Sequence, residues 1–199
     1  MIKIIDLFYK TITKPNEAFK RIKEEKPITD AFIIFFIYAF VNYFISKISI
    51  MKNPELFKEL VGPQAKLIFN PIISIISSAI WLFIFNGILL FFVKKKNNSL
   101  KYSDILTLDF FTLTPIILLF IPQLLLLKLH LFSLVYFMSF IQLIWCLILL
   151  IIGIKVFISL ETKDALIIYI KSSLIFALVI LISIFLSTKL IGSGIYPIK

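Results

Sequence analysis

The sequence predicts an all-α fold, a polytopic transmembrane bundle of five spanning helices preceded by short amphipathic helices at the N-terminus. Three observations carry that expectation. Of 199 residues, 60% are hydrophobic and the mean hydropathy is +1.04, whereas soluble domains are about 45–50% apolar. The apolar residues fall into five runs, each near the roughly 20 helical residues needed to cross a hydrocarbon core. The lysines gather mainly between those runs.

Residues 1–29 form an expected N-terminal amphipathic segment, and residues 30–199 the five-helix transmembrane domain. Ile2, Ile5, Phe8 and Ile12 recur at helical spacing with Lys3, Asp6 and Lys10 between them. Pro15 suits the first turn of a second short helix, where its missing N–H costs nothing. Ala18, Phe19 and Ile22 share one side of that helix, and Lys20, Arg21 and Lys23 face solvent or lipid phosphate. Pro27 ends it.

The spans are expected at about 31–50, 67–93, 105–127, 131–157 and 165–190. Lys94, Lys95 and Lys96 stop the second, and Pro115 and Pro122 interrupt the third. Between the third and fourth spans only Lys128 and His130 punctuate the apolar sequence, which calls for a tight hairpin. The alternative ends the third helix at Pro122 and leaves residues 123–129 as a re-entrant piece, which membranes tolerate only where protein or water satisfies the backbone. Gly is scarce, with 5 residues against 22 Phe, so bulky side chains rather than repeated small-residue seams should pack the helices.

Charge sets an orientation. The N-terminal segment and the loops at 94–104 and 155–171 hold 14 basic residues, and the opposite loops and tail hold 7. Basic residues in short loops favour the cytoplasm, so the N-terminus is expected inside and the C-terminus outside the cell membrane. The first apolar run has no small-residue cleavage site after it and should remain in the mature chain. The net charge of +10 is that of flanking lysines meeting anionic headgroups, not of a nucleic-acid surface.

Catalysis and metal binding find little material. There is one histidine, His130, and one cysteine, Cys146, so no intramolecular disulfide and no cluster at metal-ligand spacing arises. Phosphate-binding loops, zinc-protease helices and nucleophile elbows are missing from the sequence. No enzyme activity and no cofactor are expected. Asp109 is the most suggestive single residue, since an ionised group within a span is costly and often functional. The plainer alternative places it near the cytoplasmic interface, capped by Lys101 or water. Asn42, Asn70, Asn86, Gln123 and Gln142 are candidates for a polar interhelical seam. Pro115 and Pro122 lie about two turns apart and each frees a carbonyl one turn earlier, near the Thr112 and Thr114 hydroxyls.

Three stretches, in this order, resemble the Yip1 domain family of five-helix membrane proteins. They are Pro15 to Phe19 with Ile22, matching P-x-x-A-F-x-x-I; Ser99 to Leu106 leading to Thr114, Pro115, Ile121 and Pro122; and Ile144, Trp145 and Gly153 followed by Ser159, Leu160, Ala165 and Leu166. The resemblance implies five helices and a cytoplasmic N-terminus. In eukaryotic relatives it implies binding of Rab-type GTPases, a role not carried over to this chain. The family's glycine-rich loop before the third helix is replaced by Lys96, Asn97, Asn98 and Ser99, which removes the basis for close backbone approach there.

The sequence therefore predicts a non-enzymatic, membrane-organising or partner-binding scaffold. Its cytoplasmic contact surface comprises Phe19, Lys20, Arg21, Lys23, Lys94, Lys95 and Lys96, meeting anionic lipid or an unidentified membrane or cytoplasmic protein. The alternative is a small transporter or lipid-handling protein using Asp109, Pro115 and Pro122. Charge reversal at Lys20, Arg21 and Lys23 should disable the first, and Asp109→Asn the second.

Overall fold

The computed structural model describes residues 2–52 and 70–192, and within them every regular element is a helix. Helix α1 (Ile2–Thr13) and helix α2 (Pro15–Glu25) precede α3 (Ile28–Lys52). Pro15 occupies the first turn of α2 as its fixed φ favours, and Lys26 closes that helix in the left-handed conformation (φ 49°). Helix α4 (Pro71–Lys94) starts on an Asn70 cap whose Oδ1 accepts from the Ile72 and Ile73 amides at 2.9 and 3.4 Å. Asn70 thus caps a helix instead of joining a polar seam. The expected start near Leu67 lies outside the described residues.

The third span is three helices in line, α5 (Tyr102–Thr112), α6 (Thr114–Leu118) and α7 (Phe120–Lys128). The breaks fall at Leu113 and Leu119, which places Pro115 and Pro122 in the first turns of α6 and α7, where no amide donor is needed. At the first break the Leu113 amide turns to the Phe110 carbonyl at 3.2 Å, and the Thr112 hydroxyl donates to the Asp109 carbonyl at 2.6 Å. A tight turn follows, not a re-entrant piece. The Leu131 and His130 amides donate to the Leu126 and Leu127 carbonyls, with His130 left-handed (φ 59°), the paired bonds of a Schellman ending. Helix α8 (Phe132–Ile158) and helix α9 (Thr162–Gly192) complete the chain, joined across Ser159 with φ 59°.

Five of these stretches are long and apolar enough to span a membrane: Ile28–Ser49, Pro71–Lys94, Tyr102–Lys128, Phe132–Ile158 and Thr162–Leu186. Their outward faces carry Phe36, Phe40, Phe91, Leu143, Leu174 and Leu181, all exposed. Water would penalise that surface, whereas hydrocarbon does not. Inside, α5 packs between α3 and α8. Phe110 is fully buried, stacked on Phe35 at 4.9 Å and edge-on to Phe32 at 5.4 Å, each pair contributing about 0.5–1.5 kcal/mol. The same core runs through residue 29 without interruption, because Leu7, Phe19 and Ile22 pack with Ala31, Ile105 and Ile154. The amphipathic helices are therefore docked on the bundle, with Leu7, Ala18, Phe19 and Ile22 covered by protein while Ile5 stays exposed.

Candidate functional site

Two places gather polar chemistry: the end of the bundle that bears α1 and α2, and a cavity between the spans.

At the first, ion pairs hold α1 to α2. Arg21 bridges Asp6 on α1 and Glu25 on its own helix, and Lys10 adds a 3.0 Å bond to Asp6. The Lys10 bond first, and Arg21 beside it, hold the Asp6 carboxyl below the usual carboxylate range. Arg21 does the same to Glu25, and these two carboxylates raise the Arg21 guanidinium in turn. Arg21 is spent on this clip. Phe19 lies fully buried beneath it, which takes it off the expected contact surface. Its place in the helical period marked an apolar face correctly, but the protein's own core covers that face.

Lys20 and Lys23 have different surroundings. With Lys155 they line a cleft of about 750 Å³ between α2 and the end of α8, bordered also by Asn16, Glu24 and Ser159. The Lys23 Nζ donates to the Val156 carbonyl at 3.2 Å and lies 3.5 Å from the Ser159 Oγ, so its ammonium is held at the cleft wall. Lys20 is exposed. Lys155 was not among the sequence candidates. Lys94 at the end of α4 and Lys95 and Lys96 in the turn after it are exposed, outside this cleft, and Lys95 lies over the Phe91 ring at 4.5 Å. Nearby, Asp104 accepts from the Lys101 amide at 2.9 Å and pairs with Lys26 at 3.2 Å, which fixes the start of α5.

The second place is built by all five spans. A cavity of about 770 Å³ is lined by Tyr38 and Asn42 from α3, Trp81 from α4, Asp109 from α5, Gln142 from α8 and Phe176 from α9, among others. Asp109 is 4% exposed, and its Oδ2 accepts from the fully buried Asn86 Nδ2 at 2.7 Å. It lies seven residues into α5, about 10 Å along the axis. The Lys101 cap expected for a shallow Asp109 is thus replaced by an interhelical amide, while Asp104 is the carboxylate near the interface. Farther along, the Gln123 Nε2 donates to the Gln142 Oε1 at 2.9 Å and to the Ser139 Oγ at 3.0 Å. Asn42 lines the cavity beside them. Pro115 and Pro122 do not line it, and their neighbours Leu113 and Ile116 do. Trp81 faces Phe176 edge-on at 5.9 Å, whereas Trp145 packs against the core. Among the described residues no group of three or more His, Cys, Asp or Glu is placed to hold a metal.

Five apolar spans with amides and a carboxylate turned inward and bulky hydrocarbon turned outward define a multi-pass α-helical membrane protein. The family model of the Yip1 domain matches residues 9–184, most of the chain, and the protein belongs to that family. Searches among curated proteins and among solved structures gave no match.

Proposed function

We propose that this protein is a non-enzymatic scaffold of the cell membrane whose cytoplasmic face gathers anionic lipid headgroups in the cleft between α2 and α8. The N-terminus and this cleft lie in the cytoplasm and the C-terminus outside, as the excess of basic residues on the α1–α2 side favours. The observation that carries the proposal is the convergence of Lys20, Lys23 and Lys155 on one cleft, from positions more than 130 residues apart. Arg21 ties α2 to Asp6 on α1, and Phe19 and Ile22 pack into the core, so the lysines are presented by a docked helix. Lysines near an anionic membrane surface contribute about 1 kcal/mol each. Glu24 at the rim favours headgroups small enough to keep clear of it. Membrane organisation, with a protein partner recruited to this face, is the role that follows. The cavity between the spans favours the second reading, a small transporter or lipid-handling protein.

The test is native mass spectrometry of the full chain released from mild detergent, with phosphatidylglycerol or phosphatidylcholine added. Wild type is expected to retain phosphatidylglycerol preferentially. Reversing all three lysines to Glu should weaken retention about 100-fold, the equivalent of roughly 3 kcal/mol. Equal retention of both lipids, or no change in the triple variant, would remove the cleft from the proposal.

A further inference from the structure

The cytoplasmic cleft says nothing about the cavity between the spans, which has the opposite electrostatics. Its volume of about 770 Å³ falls within the roughly 300–1,000 Å³ of small-molecule sites. Among the described residues that line it none is basic, and Asp109 is the acidic one. The polar side chain bonded to that carboxyl is Asn86, while the Thr112 hydroxyl is turned to the Asp109 backbone carbonyl, and among the described residues no ion pair reaches the carboxyl. Two elements contribute an aromatic wall to its lining. Trp81 and Phe85 on α4 meet Tyr169 and Phe176 on α9 edge-to-face, with centroids 5.4 to 6.4 Å apart. Ring faces attract cations and repel anions, most strongly where water is excluded. A carboxylate in low dielectric is costly until a positive charge accompanies it.

We infer that the cavity is a binding site for a lipophilic organic cation, a protonated or quaternary amine carrying an apolar body. The cationic centre sits between Asp109 and the aromatic wall, and the apolar body lies along Leu113, Ile116 and Leu147. Anionic lipid is refused here for the reason it is accepted at the cleft. The two sites are independent.

The experiment is equilibrium binding of radiolabelled tetraphenylphosphonium to the full chain in nanodiscs of zwitterionic lipid. Tetraphenylborate, of the same shape and opposite charge, and a monoacylglycerol serve as competitors. Saturable cation binding that neither displaces is expected. Asp109→Asn should weaken it about tenfold or more, and Trp81→Leu several-fold. The Lys20, Lys23 and Lys155 triple variant should bind the cation as wild type does, which separates failure of this site from failure of the cleft. Equal displacement by the borate, stronger binding of the neutral lipid, absence of saturable binding, or an unaltered affinity in Asp109→Asn would each overturn the inference. Should Asp109→Asn not fold, the cation–anion comparison in wild type and the Trp81→Leu affinity decide it.

Discussion

Asn86→Ala is expected to lower the unfolding midpoint in detergent by roughly 4–12 °C, the equivalent of about 2–3 kcal/mol for a chain of this size. Asn86 is fully buried, and its amide supplies the 2.7 Å bond to Asp109 while also donating to the Leu82 carbonyl at 2.9 Å. Neutral interhelical hydrogen bonds in membranes average only about 0.6 kcal/mol. The larger figure applies here because the acceptor is a carboxylate, which the truncation leaves buried without its amide donor. The same logic gives an internal check. Asp109→Asn in the Asn86→Ala background should recover a large part of the loss, since a neutral amide tolerates the site better. Thermal unfolding of the two single variants and the double variant measures the coupling. Additive losses would mean that the 2.7 Å contact contributes little to stability.

Gly153→Leu is the second large effect. A Cβ at Gly153 would stand 3.0 Å from the Leu108 Cγ, and 3.2 and 3.3 Å from its two δ carbons. Leu108 is fully buried on α5 and has little room to turn away. The substitution must push α8 off α5, the helix that carries Asp109 and the stacked Phe110. A loss at or above the usual 1–3 kcal/mol of overpacking, about 3 kcal/mol, is expected, with Gly153→Ala milder. Gly87 is the control. Nothing lies within 4 Å of a Cβ built there, so Gly87→Ala should be neutral or raise stability by about 0.5–1 kcal/mol through helix propensity. Unfolding midpoints for the three variants check this, and equal effects at Gly153 and Gly87 would mean that close approach at Gly153 is not what requires glycine.

The fold was legible in the sequence because hydropathy and span length are local properties. Runs of hydrocarbon between lysines specify helices in a bilayer whatever their neighbours are. Pro115 and Pro122 likewise announced an interrupted third span, although the breaks fall two and three residues earlier, where each proline can begin a new first turn. Pairings were not legible. Asp109 stood out as costly, but its partner Asn86 is 23 residues away on another helix. Gln123 and Gln142 were recognisable as polar residues in apolar spans, not as partners. Lys155 counted only toward the orientation, because its nearness to Lys20 and Lys23 depends on how α2 docks against α8. Phe19 was assigned to an exposed surface for the same reason: periodicity finds an apolar face and does not say what covers it. Gly153 shows a further limit. Five glycines in the sequence argued against small-residue seams, yet one of them sits at the tight crossing of α5 and α8.

The five-span architecture and its orientation are tested most directly by labelling single cysteines on intact cells with a membrane-impermeant maleimide, in a Cys146→Ser background. Lys20, Lys95, Lys128 and Lys163 are exposed and lie before, between or at the very ends of the spans, so each can carry the cysteine without disturbing the core. The expected result is labelling at position 128 alone, with positions 20, 95 and 163 reached only after the cells are opened. Labelling of position 20 on intact cells, or disagreement among positions 20, 95 and 163, would contradict a five-helix bundle that presents its basic cleft to the cytoplasm.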